Sequence, residues 1–592
     1  MSFFDDASLV FLPSGQAGKD GKAYSMKPTD SSGDFTFSRG SNLTATRVDS
    51  NGLIEKGREN LLLQSNSFDT TWTTDNSSVT SGQSGYDGSN DAWKLSGTGG
   101  FFPRVQQNKS ISGVATFSVY AKSGNVNVLR LLTISGSNTD TKFQLTGSGS
   151  ILTQTGSERI ESKITRLGST DWYRCSITFN GSPTNFRIYP MSDNLTFAVN
   201  GEFIYIQDAQ LEQGLVATDY IETGATTVQA GLLEDEPRID YTGGTGSLLL
   251  EPSRTNLASS EYFEQFWSTS SGGTRVYNQI TSPEGVQNAT KIYPTSTGSF
   301  KGLSKAFGST LSSTSYALSI FAKAGEFEHL YFYNVGSPDG NNGVWFNLTT
   351  GSVGTNQAAW TSAKMEDYGN GWYRCSAVIT AGGSSDNLYI LLADSNGSVT
   401  ATTSGTDGLY IYGAQMEQGS YPTSYIPNHS GGSVTRNTDV TLSLTNAGAD
   451  GLINNYNTTI FINLKKIISV NNVIRFVTLF PNGGANNPRV LLYGNMSNAL
   501  VQYRVTGQAD QSITSPYNRD EVNKIAIRIS GTSLTMFHNG EEVNTITIVQ
   551  GDDLEYLSLA ESAATDSGYL LNQLLSFPTA LSDDECIALT TL

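Results

Sequence analysis

Cysteine and histidine are scarce in this sequence, which has three of each among 592 residues. Three cysteines cannot form a disulfide framework in so long a chain, so Cys175 and Cys375 are predicted to be buried free thiols that pack as small apolar side chains. His329, His429 and His538 are isolated from one another and from any nucleophile motif. Because nucleophilic catalysis needs a base that is oriented by a third group, the sequence does not indicate an enzyme of that kind.

Charged residues and long apolar runs are also few. Only 15% of the residues are charged and the formal net charge is −18, so the surface should repel phosphate backbones and no nucleic-acid partner is expected. The sequence has no apolar run of the roughly 18 residues that a spanning helix needs, so no membrane insertion is expected. The first residues, Met1–Asp6, lack the basic and apolar regions of a secretory signal, so we expect synthesis in a cytoplasm.

Glycine, tyrosine and phenylalanine, by contrast, are abundant, with 61, 27 and 27 copies. This mixture, together with many Ser, Thr and Asn residues, is typical of short strands joined by polar turns. Alternating apolar runs recur about every 8–15 residues, which is the pattern of antiparallel sandwiches. A helix is predicted only at the end of the chain, where Ser582–Glu585 form a capping box.

The chain contains an internal duplication. Trp172–Ser176 (WYRCS) returns letter for letter as Trp372–Ser376. Further blocks match in the same order: Asn60–Leu61 with Asn256–Leu257, Ala92–Leu95 with Ala289–Ile292, Phe117–Gly124 with Leu318–Gly325, Tyr205–Gly214 with Tyr410–Gly419, and Tyr220–Ile221 with Tyr425–Ile426. Because such self-similarity identifies duplicated domains, we predict two homologous sandwiches.

The repeats divide the chain into six segments. The predicted boundaries are 1–56 for an N-terminal anchor segment, 57–228 for the first jelly-roll repeat, 229–252 for a linking hairpin that introduces the second repeat, 253–428 for the second jelly-roll repeat, 429–436 for a linker, and 437–592 for a different sandwich. An Asn539-Gly540 turn between alternating runs marks a hairpin in the last segment.

Several repeated residues are interpreted as structural. Four tryptophans are predicted to be core residues that both copies share: Trp72, Trp267, Trp172 and Trp372. Arg174 is predicted to pair with Glu212, and Arg374 correspondingly with Glu417. A local pair of Glu251 with Arg254 is also expected.

Sugar binding would use exposed aromatic side chains that stack on pyranose faces, with Asn, Asp and Gln fixing the hydroxyls. Candidates should be aromatic residues of one repeat that have no counterpart in the other repeat. On this argument Trp345 and Trp360, placed in loops, are the predicted glycan-binding residues.

No cofactor is predicted. The carboxylates of Asp583, Asp584 and Glu585 would suit calcium, but acidic residues that favour a helix N-terminus are the preferred interpretation. Glycan cleavage needs two carboxylates at a set separation, and with 54 Asp and Glu residues the sequence leaves a glycan depolymerase open as an alternative.

Certain segments support a resemblance to a known group of proteins. They are Pro237–Tyr241 with Leu248–Leu257, Phe37–Ser41 with Ala45–Val48, and the Ala-Gln-Leu/Met-Glu-Gln-Gly blocks at 209–214 and 414–419. These resemble segments of tail-fibre, spike and other virion proteins of tailed bacteriophages. The repeats resemble carbohydrate-binding-module-like jelly rolls, and the last segment resembles a concanavalin A/laminin-G-like sandwich.

The resemblance implies a non-enzymatic structural protein on the surface of a phage particle. One hypothesis is a fibre or spike that attaches to host-surface glycans, and the alternative is a capsid, neck or tail decoration that binds only other virion proteins. The resemblance also implies that residues 1–56 dock onto other virion proteins. A homo-oligomer is expected, with a trimer as the leading arrangement.

Overall fold

The computed structural model describes the whole chain except residues 1–2, 16–20, 42, 259–262, 264–266, 309–310, 339–341, 383–385, 430–431, 442, 468–473, 482–488, 495–497, 506–507, 518–520, 560–567 and 592. Strands form almost all of its regular structure, and all strand pairs are antiparallel in the described part. The prediction of an all-β chain of tandem antiparallel sandwiches is therefore confirmed.

The N-terminal segment holds α1 (Phe3–Asp6), a 3-10 turn (Pro13–Gly15), β1 (Leu9–Phe11), β2 (Lys22–Ala23), β3 (Phe35–Ser38), β4 (Thr46–Val48) and β5 (Ile54–Lys56). The first repeat holds β6 (Arg58–Asn60), β7 (Thr73–Asp75), β8 (Ser77–Gln83), β9 (Ala92–Gly97), β10 (Arg104–Asn108), β11 (Gly113–Ser123), β12 (Val128–Ile134), β13 (Thr139–Gln144), β14 (Ser150–Thr155), β15 (Arg159–Arg166), β16 (Trp172–Gly181), β17 (Asn185–Met191), β18 (Phe203–Gln213) and β19 (Val228–Ala230).

The linking hairpin is β20 (Arg238–Asp240) and β21 (Ser247–Leu250). The second repeat holds β22 (Arg254–Asn256), β23 (Ser268–Ser270), β24 (Gly273–Ile280), β25 (Ala289–Pro294), β26 (Gly298–Ser299), β27 (Gly302–Gly308), β28 (Ser315–Lys323), β29 (His329–Val335), β30 (Gly343–Asn347), β31 (Ser352–Asn356), β32 (Trp360–Asp367), β33 (Trp372–Thr380), β34 (Asp386–Ala393), β35 (Thr400–Ala401), β36 (Leu409–Gln418) and β37 (Val434–Arg436).

The C-terminal segment holds β38 (Val440–Thr441), β39 (Asn457–Ile467), β40 (Ile474–Pro481), β41 (Arg489–Gly494), β42 (Asn498–Arg504), β43 (Gln511–Pro516), β44 (Val522–Ser530), β45 (Ser533–His538), β46 (Glu541–Thr547), β47 (Leu554–Leu559), β48 (Gly568–Phe577) and α2 (Asp583–Thr590). As the capping box predicts, the Ser582 hydroxyl accepts from the Glu585 backbone N–H at the start of α2.

The two repeats have the same sheet topology. In the first, six strands run in the order β7-β10-β17-β12-β13-β14 and six in the order β8-β9-β18-β11-β16-β15. In the second, the orders are β23-β27-β34-β29-β30-β31 and β24-β25-β36-β28-β33-β32. Each strand of these two six-stranded sheets therefore has a counterpart in the other copy, and equivalent positions can be compared residue by residue.

The WYRCS motif forms the start of β16 and of β33, each of which lies between two other strands. Because side chains alternate along a strand, Cys175 and Cys375 point into the space between the sheets, where both are fully buried. Burial raises the pKa of both thiols, which keeps them protonated. All four repeated tryptophans are also buried: Trp72, Trp267, Trp172 and Trp372.

The repeated Gln-x-Glu pair ties a loop to the sheet. In the second repeat, Gln415 donates to Glu417 at 2.7 Å, and Glu417 accepts from the Thr423 backbone N–H at 2.6 Å. The same bonds occur in the first repeat. The predicted partner of Arg374 is wrong, because that guanidinium donates to the Thr423 carbonyl at 2.7 Å and to the Ser319 hydroxyl.

In the first repeat the predicted pairing of Arg174 with Glu212 holds only as an attraction without direct contact: burial raises the pKa of Glu212, and the charge of Arg174 opposes that rise. Arg174 donates to the Ser118 hydroxyl at 3.4 Å, while the Glu212 carboxylate accepts from Gln210 and Thr218. The reason is geometric in both copies: neighbouring polar groups on the same strand and its following loop already fill the glutamate's acceptor sites.

The C-terminal sandwich takes strands from distant parts of the chain. One sheet runs β20-β21-β48-β39-β44-β45-β46 and the other β43-β42-β41-β40-β47. The edge of β48 is covered along most of its length, because β21 pairs with Tyr569–Leu571 and β1 pairs with Leu574–Ser576. An exposed edge of this length would invite aggregation, so the sandwich recruits these two strands.

Two predicted segments are therefore reassigned. The linking hairpin does not simply introduce the second repeat, because it belongs to the C-terminal sheet. The N-terminal segment packs into that same sandwich as well, because Leu9–Phe11 are buried in it and Phe37 pairs with Thr441. Long-range pairing of this kind leaves no local signal in the sequence.

Five buried charged residues join these parts, and we call them the ionic junction: Arg39, Arg238, Arg436, Glu251 and Asp439. Glu251 Oε2 lies 2.8 Å from both Arg238 Nη1 and Arg436 Nη1. Asp439 pairs with Arg238 and with Arg39. All five side chains are at most 2% exposed, so the ionic junction is sealed from water.

The predicted Glu251–Arg254 pair is wrong. Arg254 lies with its Nε 3.8 Å from Glu417 instead. The carboxylate of Glu251 points the other way, toward guanidinium groups from β20 and β37. Glu251 and Arg254 are three residues apart on an extended segment, so their side chains point to opposite sides and do not pair.

Candidate functional site

Two tyrosines lie side by side on the outer face of one sheet of the second repeat. Tyr333 on β29 is directly paired with Tyr389 on β34, and their ring centroids are 5.8 Å apart. Phe300 lies beside Tyr333 at 5.0 Å. All three side chains are partly exposed. We call Phe300, Tyr333 and Tyr389 the tyrosine platform.

The strand alternation explains why these rings face outward. Leu330 and Phe332 on β29, and Leu388 and Ile390 on β34, point into the core between the sheets. The residues between them must therefore point to the outer face. The tyrosine platform is thus presented by two adjacent strands of a rigid sheet.

Small residues flank the tyrosine platform. Ser304 is paired with Tyr389 on one side, and Gly343 with Tyr333 on the other. A Cβ atom on Gly343 would lie 2.7 Å from the Trp345 ring, so that position must remain glycine for the tryptophan to fit. The Trp345 ring thus fills the space at Gly343, and the small side chain of Ser304 leaves a shallow step beside Tyr389.

Trp345 packs next to the tyrosine platform on the same outer face of the sheet. Its ring stacks on Tyr331 at 4.9 Å and 7°, and its Nε1 donates to the Ser398 carbonyl at 2.7 Å. It is only 2% exposed. The predicted loop position of Trp345 is therefore wrong: it lies on β30 and is covered by the loop after β34.

Trp360 is also not an exposed loop residue. It begins β32, is 2% exposed, and belongs to the core between the two sheets. Its Nε1 donates to the Asn342 carbonyl at 3.0 Å, and its ring lies 5.9 Å from Phe332. The residue fills the core, so it is not available to a ligand.

The first repeat carries different residues at the equivalent positions. Leu132 and Arg187 are paired there as Tyr333 and Tyr389 are in the second copy. Close by, Arg130 makes two hydrogen bonds to Asp140 at 2.8 and 2.7 Å. The two copies share topology and core, so this outer face is a place where they have diverged. Aligning the two copies and comparing these positions could have identified this outer face from the sequence.

Exposed aromatics occur elsewhere on the first repeat. Phe101 is 80% exposed and Phe102 is 49% exposed, and the Phe102 ring packs 4.6 Å from Phe197. Phe102 has a positive φ of 65°, as does its counterpart Phe300 at 58°. Sequence analysis missed this patch, although two adjacent phenylalanines in a turn between Gly100 and Pro103 were a visible signal.

A buried acid distinguishes the first repeat from the second. Asp208 sits in a bulge of β18 with a positive φ of 53°, where the second repeat has Gly413 at 63°. Burial raises the pKa of Asp208 to about 7, although the hydrogen bond from the Tyr86 hydroxyl at 2.8 Å opposes that rise. A non-glycine residue in this conformation stores strain.

Replacing Asp208 with glycine should stabilise the first repeat by about 1–2 kcal/mol at pH 8, because strain and a buried charge are both removed. The folded pKa lies above the ordinary value of 3.8, so the charge penalty is present above pH 7 and fades below it. The gain should therefore shrink by pH 5 in thermal melts. Asp208→Asn, which removes only the charge, is the control, and a less stable glycine variant at pH 8 would contradict this account.

A chain of three polar residues in the C-terminal sandwich has the connectivity of a catalytic triad. His538 Nδ1 lies 2.7 Å from Ser515 Oγ, and His538 Nε2 lies 3.1 Å from Asn523 Oδ1. Sequence analysis missed this neighbour of His538, because Ser515 is on another strand. Both Ser515 and His538 are less than 9% exposed, and burial lowers the pKa of His538. The arrangement links β43, β44 and β45 and gives a substrate no access to the hydroxyl.

The acidic residues that suit calcium are engaged at the start of α2. Glu585 accepts from the Ser582 backbone N–H at 2.7 Å, and Asp583 pairs with Arg528. Among the described residues, no group of three or more His, Cys, Asp or Glu side chains is arranged to hold a metal ion.

None of the described helices is long and apolar enough to cross a membrane.

These features define a multi-domain β-sandwich protein with an aromatic platform on one sheet face. No protein-family model and no curated protein matches the sequence. Among solved structures, the CBM40 domain of the Ruminococcus gnavus IT-sialidase is similar, with 20% identity over 23% of this chain and 82% of that chain and a TM-score of 0.20.

A SAP-like pentraxin from Limulus polyphemus matches with 11% identity over 22% of this chain and 69% of that chain, at a TM-score of 0.19. The binding domain of Paraclostridial Mosquitocidal Protein 1 matches with 13% identity over 23% of this chain and 37% of that chain, also at 0.19.

Proposed function

We propose that this protein binds carbohydrate through the tyrosine platform of its second repeat. The observation that carries the proposal is the adjacent, partly exposed pair of Tyr333 and Tyr389 on the outer face of a sheet. Aromatic rings present a flat apolar face with a polar hydroxyl at the tip. A pyranose has the complementary form, with an apolar C–H face and polar hydroxyls at its edge.

The surroundings of the tyrosine platform favour binding. The rings of Tyr331 and Trp345 stack on each other next to the tyrosine platform and make this part of the sheet rigid. A site that is rigid before binding loses less conformational entropy when a ligand binds. Ser304 leaves room beside Tyr389. The site is therefore open and preorganised, and its rings are inclined to one another, by 62° between Tyr333 and Tyr389, so that they can contact a sugar from two sides.

The wider role that we propose is a structural protein displayed on the surface of a tailed-phage particle, where it attaches to host-surface glycans. Support comes from the resemblance of residues 237–257 and 37–48 to virion proteins. A homo-oligomer, with a trimer as the leading arrangement, would present several tyrosine platforms together and raise avidity. The alternative is a decoration protein that binds only other virion proteins, for which the exposed Phe101 would be a contact.

Replacing Tyr389 with alanine should weaken binding to a host-surface glycan by at least about tenfold, because a central aromatic contact is worth about 2 kcal/mol or more. The measurement is surface-plasmon resonance of the full chain on immobilised host polysaccharide. Arg187→Ala, at the equivalent position of the first repeat, is the matched control and should bind as the unmodified chain does. If neither the unmodified chain nor its oligomer binds any host glycan, the attachment proposal fails and the decoration hypothesis takes its place.

A further inference from the structure

A cavity of about 200 Å3 lies where three parts of the chain meet. The second repeat contributes β33 and the loop 420–424, the linking hairpin contributes Leu249, and the C-terminal sandwich contributes Leu570 and Lys465. Small-molecule sites occur preferentially at such junctions between domains. The cavity is lined by other residues than the tyrosine platform, and it does not depend on the proposed function.

The charges around the cavity balance. Three cationic side chains line it, namely Lys364, Arg374 and Lys465, and three carboxylates do so too, namely Asp240, Glu251 and Glu366. Lys364 and Glu366 pair with each other at 2.8 Å, and Glu251 is neutralised within the ionic junction. Arg374 and Lys465 then remain with Asp240, so the lining carries at most one net positive charge, and its hydroxyl groups are the main polar contacts that it offers to an uncharged ligand.

Buried hydroxyl groups face the cavity without a hydrogen-bond partner. Ser376 is 1% exposed, and its Oγ has no partner among the described residues. The Ser420 Oγ is also buried and unpartnered in the same part of the structure. Because leaving a buried polar group unsatisfied is costly, a group that donates or accepts here gains hydrogen bonds that the protein does not make by itself.

Apolar and aromatic surfaces form the rest of the lining. Tyr368, Tyr421, Pro422 and Leu249 contribute to it. A ligand that fits must therefore combine a flat apolar face with several hydroxyls. A volume of about 200 Å3 lies below the roughly 300–1,000 Å3 of pockets that hold drug-sized ligands, which favours a ligand no larger than one small ring.

We propose that this cavity binds one small neutral polyol of the size of a single sugar ring. Ser376 and Ser420 make hydrogen bonds to its hydroxyls, and Tyr368 or Tyr421 packs against its apolar face. Because residues from three parts of the chain surround the ligand, binding favours the docked arrangement of the second repeat on the C-terminal sandwich.

The test uses saturation-transfer NMR of the full chain with methyl α-D-glucoside, methyl β-D-galactoside and N-acetylglucosamine as separate probes. At least one probe should bind saturably with one site per chain. Ser376→Met fills the cavity and should weaken that binding by at least about tenfold. Ser176→Met, the same change at the equivalent position of the first repeat, should leave it unchanged.

Further variants separate the possible failures. Ser376→Ala keeps the volume nearly unchanged and removes the hydroxyl, so it should also weaken binding, and it replaces the methionine variant if thermal melts show that the latter does not fold. Tyr389→Ala should retain this binding even where it loses attachment to polysaccharide, which separates the cavity from the tyrosine platform. Saturable binding of none of the probes, or binding that survives both Ser376 variants, would overturn the proposal.

Discussion

Replacing Glu251 with glutamine should lower the free energy of unfolding by about 3–5 kcal/mol, because removing one partner of a buried ion pair leaves the other charges uncompensated. Glu251 accepts from Arg238 and Arg436, and it also binds the Ser424 backbone N–H at 2.9 Å. Chemical denaturation of the full chain measures the loss. With glutamine in place, three buried arginines would face Asp439 alone.

A surface ion pair provides the control for this variant. Arg47 and Glu55 lie 2.8 Å apart but are 20% and 31% exposed, so Glu55→Gln should cost only about 0–1 kcal/mol. If Glu251→Gln costs no more than Glu55→Gln, the ionic junction does not hold the parts of the chain together.

The ionic junction should also give the protein a characteristic acid sensitivity. Burial alone would raise the pKa of Glu251, but the guanidinium groups of Arg436 and Arg238 outweigh it and lower the pKa to about 2. The folded pKa is thus below the ordinary value of 4.5, so this stabilisation is complete above pH 4.5 and is lost as the pH falls toward 2. Glu251→Gln should remove that part of the pH dependence.

Replacing Trp372 with alanine should destabilise the second repeat by about 3–5 kcal/mol, because a large buried side chain is lost and a cavity remains. Trp372 is 2% exposed, donates from Nε1 to the Thr281 carbonyl at 3.1 Å, and packs in a cluster with Ile54 and Phe321. Calorimetry of the full chain should show an earlier transition for the second repeat.

The equivalent change in the first repeat is the matched control. Trp172→Ala removes a tryptophan that is 3% exposed, and it should affect the transition of the first repeat instead. A Trp372→Ala protein that folds with normal stability but loses glycan binding would contradict the structural role of the WYRCS motif.

The duplication could be predicted because the local sequence of a core strand determines which of its side chains face the core. In WYRCS the alternation of Tyr173 and Cys175 with Trp172 and Arg174 already separates the two faces of β16. Both copies need the same core, so both keep the same letters. Secondary structure and fold class follow from such local patterns.

The position of the N-terminal strand could not be predicted in the same way. The pairing of Leu9 with Ser576 joins residues more than 500 positions apart, and no local periodicity encodes it. Likewise, nothing in the sequence near Glu251 specifies Arg436 as its partner. Long-range contacts of this kind depend on how whole sheets dock.

The candidate site was missed because exposure was inferred from residue type. Trp345 was chosen as an unshared tryptophan, yet it packs beneath a loop, while the partly exposed rings belong to Tyr333 and Tyr389. Once the strands are aligned, the tyrosines stand out against Leu132 and Arg187 of the first repeat. The shared core explains the residues that match between the copies. The outer-face positions that differ between them therefore indicate the candidate site.

The most direct measurement of the proposed function is a crystal structure of the full chain with an oligosaccharide fragment of the host-surface glycan. We expect one pyranose ring to lie against Tyr333 and Tyr389, with Phe300 at its edge. A sugar ring bound instead on the face that carries Arg130 and Arg187, with the tyrosine platform in contact with solvent alone, would contradict the account.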